Sequence, residues 1–151
     1  MNIRGASAAD YPLILAVWRR SAEATHLFLS PHDIEAIELD VAKYLPQMSD
    51  LRVAYDGTRV LGFVALEGDT IEMLFVDAAY LGQGIGSSLL SDITAGRGYV
   101  RVDVNEQNPT GHAFYKAKGF TQIGRSETDG EGRPFPILHL ERHTSGHQQL
   151  Q

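Results

Sequence analysis

A mixed sheet of about seven strands with four helices, an α/β (α+β) fold in the order β-α-α-β-β-β-α-β-α-β-β, is what the sequence predicts. Three observations predict it. Two amphipathic helical stripes come first, three strands follow around Asp-Gly and Gly-Asp turns, and strand and helix patterns alternate thereafter. No internal repeat or linker interrupts the 151 residues, a length suited to one core. The domain is expected over 1–142, with 143–151 a polar tail.

Asn2 to Arg4 start the first strand. Ser7, with Asp10 three residues on, forms a capping-box-like pair that opens a helix, and Pro12 is tolerated in its first turn. Tyr11, Ile14, Trp18 and Ala22 give that helix one apolar face. Ser30, Pro31 and Asp33 open a second helix, whose stripe is Ile34, Ile37, Val41 and Tyr44 and which Pro46 stops. The period then shortens. Leu51 to Tyr55, Arg59 to Leu66 and Thr70 to Val76 read as strands of an antiparallel meander around Asp56-Gly57 and Gly68-Asp69. A glycine-rich turn leads to a helix from about Gly84, with Ile85, Leu89 and Ile93 in register. Tyr99 to Val104 is a fifth strand, and a helix from Asn108 to Lys118 ends at Gly119, the left-handed cap residue. Phe120 to Arg125 and Ile137 to Glu141 pair around a turn at Asp129 to Gly132.

Composition narrows the function. Hydrophobic residues at 43% and charged residues at 21% argue for a globular chain rather than a disordered one. A net charge of -6 disfavours nucleic-acid binding through phosphates, yet suits a cationic acceptor drawn in by the field of the whole protein. With no cysteine, disulfides, thiolate metal sites and a cysteine nucleophile are excluded. Met1 to Asp10 lacks the apolar region of a signal peptide, and no apolar run reaches membrane-spanning length. A cytoplasmic protein with no membrane partner is expected. No Ser-His-Asp arrangement suggests itself, and His139, His143 and His147 have helical spacing but lie across a strand end and the polar tail, so no metal is expected.

Leu81-Gly82-Gln83-Gly84-Ile85-Gly86-Ser87 lies between a strand end and a helix start. Its glycines allow a tight turn and close backbone approach, and the free amides of a helix N-terminus favour a phosphate. A plain tight connection is the alternative. The loop lacks the Gly-Lys-Ser/Thr ending of a Walker A motif, and it follows a meander rather than the first strand of a parallel sheet, which sets aside a dinucleotide fingerprint.

Leu74-Phe75-Val76-Asp77 followed by Tyr80 to Leu90 resembles the fourth strand, pyrophosphate loop and third helix of the GNAT superfamily of N-acetyltransferases. Val104 to Asn108, then Ala113-Phe114-Tyr115-Lys116 and Gly119-Phe120, resembles that family's fifth strand and fourth helix. The two blocks stand in the family's order and at its spacing, and the element order agrees over almost the whole chain. Gly124-Arg125-Ser126 with Pro134-Phe135-Pro136-Ile137-Leu138 is similar to bacterial YjaB-type acetyltransferases. One departure matters: Leu81 replaces the polar residue that opens the family's loop pattern, which removes a side-chain contact to pyrophosphate but leaves the backbone amides.

The resemblance implies an N-acetyltransferase using acetyl-CoA as cosubstrate, with a primary amine of a small molecule or peptide as acceptor. It implies that Leu74, Phe75 and Val76 line the cofactor, the main chain of Leu74 and Val76 pairing with the pantetheine arm as an added strand does, and that the loop from Leu81 to Ser87 (Gly82, Gln83, Gly84, Ile85 and Gly86 included) holds the pyrophosphate. Asn108, before Pro109, is either an ordinary N-cap or a further cofactor contact. Tyr115 is implied as the general acid for the departing thiolate, since a thiol near 8.5 and a phenol about 10 are nearly matched; the other reading is a core tyrosine. A lysine-like amine is neutral in roughly one molecule in 2,500 at pH 7, so a base is needed. Glu72, on the parity of Leu74 and Val76, is the candidate, or else an exposed strand carboxylate. His26 and Phe28 lie in the helix connection that borders the acceptor in this family, where a surface histidine is the plainer meaning.

Two other classes stay in view. A non-catalytic acyl-CoA sensor or interaction module is favoured by Leu81, and Tyr115 and Asn108 speak against it. A helix-turn-helix DNA-binding protein is opposed by the acidic balance and the meander. Dimers are frequent among such acetyltransferases, so a homodimer is allowed; the acceptor and the effect of Leu81 on affinity are left open.

Overall fold

Caps and turn formers set where the elements begin. In the computed structural model, which describes residues 1–144, β1 (Asn2–Gly5) leads to a 3₁₀ turn at Ala8–Asp10 and then α1 (Tyr11–Thr25). The α-helix therefore opens four residues after Ser7. The Asp10 carboxylate accepts from the Ser7 amide at 2.8 Å and from Arg4 at 2.7 and 2.9 Å, which closes the tighter turn first. α2 (Pro31–Tyr44) has the reciprocal cap its sequence implies: Ser30 Oγ accepts from the Asp33 amide at 3.1 Å, and Asp33 accepts from the Ser30 amide at 2.9 Å. Pro46 sits in a 3₁₀ turn at Leu45–Gln47.

β2 (Asp50–Asp56), β3 (Arg59–Glu67) and β4 (Thr70–Val76) come next, with Gly57 and Gly68 at φ of 62° and 61° in the turns. Then come α3 (Ile85–Thr94), β5 (Tyr99–Asn105), α4 (Pro109–Ala117), β6 (Thr121–Ser126) and β7 (Ile137–His143). The strand order is β1-β2-β3-β4-β5-β7-β6. β1 to β3 pair antiparallel, β4 and β5 pair parallel, and β7 lies antiparallel to both β5 and β6. His143, placed in the expected polar tail, ends β7; residues 145–151, His147 among them, lie outside the described residues. No helix among the described residues is long and apolar enough to cross a membrane.

Contacts gather into two units, Met1–Glu67 with Glu72–Ala95, and Gly68–Ile71 with Gly96–Gln151. In the first, β3 is buried from Val60 to Leu66 because both its faces are covered. Ile14, Val17, Trp18 and Ala22 of α1 join Phe63 and Ala65 in one core, with Met73 and Phe75 packed against it. On the other face α3 comes close at Gly62, where an added Cβ would stand 3.2 Å from Leu89 Cδ1 and 3.3 Å from Ile85 Cγ2.

In the second unit α4 lies over the face that buries Val104: a Cβ on Gly111 would stand 3.2 Å from Val104 Cγ2. Strand alternation puts Asp103 and His139, which are register partners, on the opposite face. A bulge interrupts β6 between Gln122 and Gly124, so Gly124 rather than Ile123 stands opposite His139. One inserted residue reverses the parity beyond it and turns Ser126 to the face of His139.

Candidate active site

The glycine loop leaves a helix start without a cap. Gly84, at φ 80°, is the N-cap residue of α3, and having no side chain it offers nothing to the first turn. No amide from Gly82 to Ser87 donates a hydrogen bond to another described residue. A Cβ built on Gly82 or Gly84 meets nothing within 4 Å. Unspent donors, the positive end of a helix dipole and free space beside them fit a diphosphate. Leu81, 48% exposed, adds only apolar surface there.

β4 reaches this loop with its backbone polarity fixed. The Asp77 amide donates to Leu61 O of β3 at 2.8 Å, and a Cβ on Gly62 would stand 2.9 Å from Phe75 O. Phe75 and Asp77 therefore turn their main-chain groups towards β3. Alternation then turns those of Leu74 and Val76 to the opposite edge. The ladder from that edge to β5 registers only Thr70 and Ile71, both before the segment in question.

Arg20 and Asp77 hold the junction, and the sequence reading missed both. The buried Asp77 carboxylate accepts from Arg20 Nη2 at 2.6 Å, from Arg20 Nε at 3.1 Å and from the Ala79 amide at 3.1 Å. The Arg20 guanidinium holds the carboxyl below the usual carboxylate range. Asp77 just ahead of two alanines is a turn signal that could have been found, whereas an arginine on α1 carries no sign of a partner 57 positions away.

His26 is buried where a surface histidine was the plainer expectation. Its ring lies 5.5 Å from Phe28 and 5.8 Å from Phe75 between centroids. Thr25 Oγ1 gives its one proton to Ser21 O at 2.7 Å, so at 2.9 Å it accepts from His26 Nδ1. Nδ1 then carries the proton and Nε2 the lone pair. Burial lowers the imidazole pKa, which keeps that neutral form. Glu72 is exposed and has the opposite strand parity to Phe75, so it is not grouped with His26.

The second unit holds Asn108 and Tyr115. Asn108 Oδ1 accepts from the Gly111 amide at 3.2 Å, so the side chain is an N-cap, and its Nδ2 donates to no described residue. A Cβ on Gly111 would fall 2.5 Å from Nδ2, so a larger residue there would displace the Asn108 amide. Tyr115 is buried, with Phe114 and Phe120 edge-on at 5.1 and 5.4 Å. Its hydroxyl bonds to no described residue, and burial raises its pKa well above the ordinary phenol.

A family model for an acetyltransferase (GNAT) domain matches residues 48–122. The peptidyl-lysine N-acetyltransferase YjaB of Salmonella typhimurium is 37% identical over 140 residues, 93% of this chain and 97% of that protein. The chain belongs to the GNAT acetyltransferase family. The solution structure of apo-form YjaB from Escherichia coli matches this GNAT chain with a TM-score of 0.85 at 35% identity, over 93% of this chain and 95% of that one. The PaiA N-acetyltransferase of Thermoplasma acidophilum, solved in complex with coenzyme A, shares the GNAT fold at a TM-score of 0.72 and 22% identity, over 95% and 98% of the two chains. Family membership makes this GNAT protein an acetyl-CoA-dependent N-acetyltransferase.

One expectation is corrected. A Ser-His-Asp arrangement does exist in this GNAT chain: His139 Nε2 lies 2.6 Å from Ser126 Oγ, and Nδ1 lies 2.7 Å from Asp103 Oδ1. Its members are far apart in sequence, and only the bulge brings the serine round. Among the described residues no group of three or more His, Asp or Glu side chains is placed to hold a metal ion.

Proposed function

We propose that this GNAT chain acetylates the side-chain amine of lysine in a peptide or protein, with Tyr115 as general acid. The observation that carries the proposal is the outward-facing main chain of Leu74 and Val76, which runs into the uncapped start of α3. An extended pantetheine arm would pair with the first, and a diphosphate would take the amides from Gly82 to Ser87. Bound there, the thioester supplies the acetyl group. The acceptor class comes from the YjaB relative, which is named for peptidyl lysine.

Each residue then has a task. A strand amide of β4 polarises the carbonyl, and Asn108 Nδ2 is a donor free for the cofactor arm. Tyr115 holds a proton on its unpaired hydroxyl for the departing sulfur. Phe28 and His26 border the acceptor, beside Leu27, which is 79% exposed and offers apolar surface to a peptide. Attack is direct, with catalysis resting on positioning.

Two residues compete for the amine's proton. Glu72 is an exposed carboxylate on the parity of Leu74 and Val76. His26 is favoured by its tautomer, since Nε2 keeps a lone pair. The acid limb of kcat/KM separates them. With His26 as base, the rate rises with pH through a value below 6.5, because burial lowers this imidazole, and His26→Gln removes the limb. With Glu72 as base, Glu72→Gln removes it instead.

The test is CoA release from acetyl-CoA over a panel of lysine peptides, lysine-blocked peptides with a free α-amine, and polyamines, with mass spectrometry of the product. Acetylation at lysine Nζ is expected. Turnover confined to the other amines would overturn the acceptor. A thermal shift with acetyl-CoA but no accepted amine would favour a sensor, the reading that Leu81 motivates.

A further inference from the structure

The face of β5, β7 and β6 turned away from α4 carries chemistry that amine acetylation does not use. Asp103, His139 and Ser126 come from three neighbouring strands and form one hydrogen-bonded chain. A carboxylate only accepts, so in the tautomer that suits both contacts Asp103 takes the proton of His139 Nδ1 at 2.7 Å. Nε2 is then left with its lone pair, and the Ser126 hydroxyl, 2.6 Å away, donates to it. This is the tautomer and order in which an imidazole removes a serine proton while a carboxylate orients the ring.

Access and construction point the same way. Ser126 is half-buried, the His139 side chain is 24% exposed, and the one helix described in this unit, α4, lies on the opposite face at Val104. The arrangement depends on the β6 bulge. In an unbroken ladder Arg125, not Ser126, would share the face of His139.

We propose that Ser126, His139 and Asp103 form a nucleophilic serine unit that acts on small activated acyl esters, with Ser126 as nucleophile, His139 as base and Asp103 as positioning residue. In the first step an Oγ–acyl bond forms and the bond from the acyl carbon to the leaving oxygen breaks. The Oγ proton passes to His139 Nε2 and then to that oxygen, which departs as an alcohol or phenol. Water attacks the acyl-serine next, His139 takes its proton, and the free acid leaves as Ser126 regains its hydrogen. No oxidant or cofactor is required. An ester with a good leaving group is the substrate class, since the assembled nucleophile and base are what the face supplies.

Full-length protein without CoA is incubated with a fluorophosphonate probe, which loses fluoride when Oγ bonds to phosphorus, and the labelled residue is located by mass spectrometry. Labelling at Ser126 and a burst of nitrophenolate from p-nitrophenyl acetate are expected, both lost in S126A. H139Q should slow labelling about 100-fold. D103N should slow the rate constant with final stoichiometry and melting temperature unchanged, a split that a merely structural role would not produce. Wild-type labelling no faster than H139Q, or labelling at another serine, overturns the proposal. None of the three residues is assigned to amine acetylation, so lysine-peptide turnover is scored separately and can fail or succeed alone.

Discussion

Tyr115 has aromatic rings edge-on at two sides and no hydrogen bond to any described residue, so ionising it in place is costly. Burial raises its pKa, which sets the sign of a pH effect: the proton stays on through neutral pH and past the ordinary phenol value near 10. As general acid it would leave kcat without an alkaline loss of its own below pH 10. Tyr115→Phe keeps the ring packing and removes the proton, so kcat should fall about 100-fold while the CoA dissociation constant, measured by calorimetry, stays put. A tyrosine that served packing alone would leave kcat intact. Gly62 is a second residue whose meaning lies in what surrounds it. A methyl there would press on a backbone oxygen of β4 at 2.9 Å and on two side chains of α3. Gly62→Ala should cost about 1–3 kcal/mol by thermal unfolding and weaken CoA binding as well, because it displaces both elements that would hold the ligand. Gly5→Ala, with nothing within 4 Å, is the control and should leave CoA binding unchanged.

For the elements, the start of α3 decides most. Gly84 occupies the left-handed region, so Gly84→Ala adds backbone strain of about 1 kcal/mol and tilts the amides of the first turn. Affinity for CoA should drop by more than that strain accounts for; an equal loss in stability and affinity would mean that the turn is only a connector. How readable such elements are depends on whether their causes are local. Ser30-Pro31-Asp33 and Asn108-Pro109 carry their caps within a few residues, so both helix starts were legible, and the Asp56-Gly57 and Gly68-Asp69 turns marked the strands. The glycine loop was legible as a turn on local grounds and as a candidate phosphate cradle through its order among the blocks. The rest depends on pairing at a distance. Arg20 meets Asp77 across 57 positions, and the register of β7 and the bulge in β6 place Ser126 beside His139. No local pattern specifies a one-residue slip in a ladder whose strands are joined by a ten-residue loop. His26 was singled out as a candidate beside the acceptor, but its burial and tautomer arise from Phe75 and the Ser21–Thr25 bond, which a sequence does not display.

Over the whole molecule, acidic side chains outnumber Lys and Arg by 19 to 13, giving a net charge of -6. That field acts oppositely on the two substrates of the proposed reaction. A cationic lysine peptide is drawn in, whereas an anionic cofactor is repelled at long range and held only at short range, by amides and a helix dipole. Salt shortens the reach of the field, from roughly 30 Å at 0.01 M to about 10 Å at 0.1 M, but leaves contacts at hydrogen-bond distance largely intact. The two specificity constants should therefore respond with opposite signs. Between those ionic strengths kcat/KM for a lysine peptide should fall about tenfold, while kcat/KM for acetyl-CoA should hold or rise. Steady-state kinetics with each substrate varied in turn reads both. If the peptide constant is flat with salt, steering plays no part in acceptor choice and the peptide must be selected by contacts at the site alone; a fall for acetyl-CoA as well would show that side-chain charges, rather than the backbone of the glycine loop, hold the diphosphate.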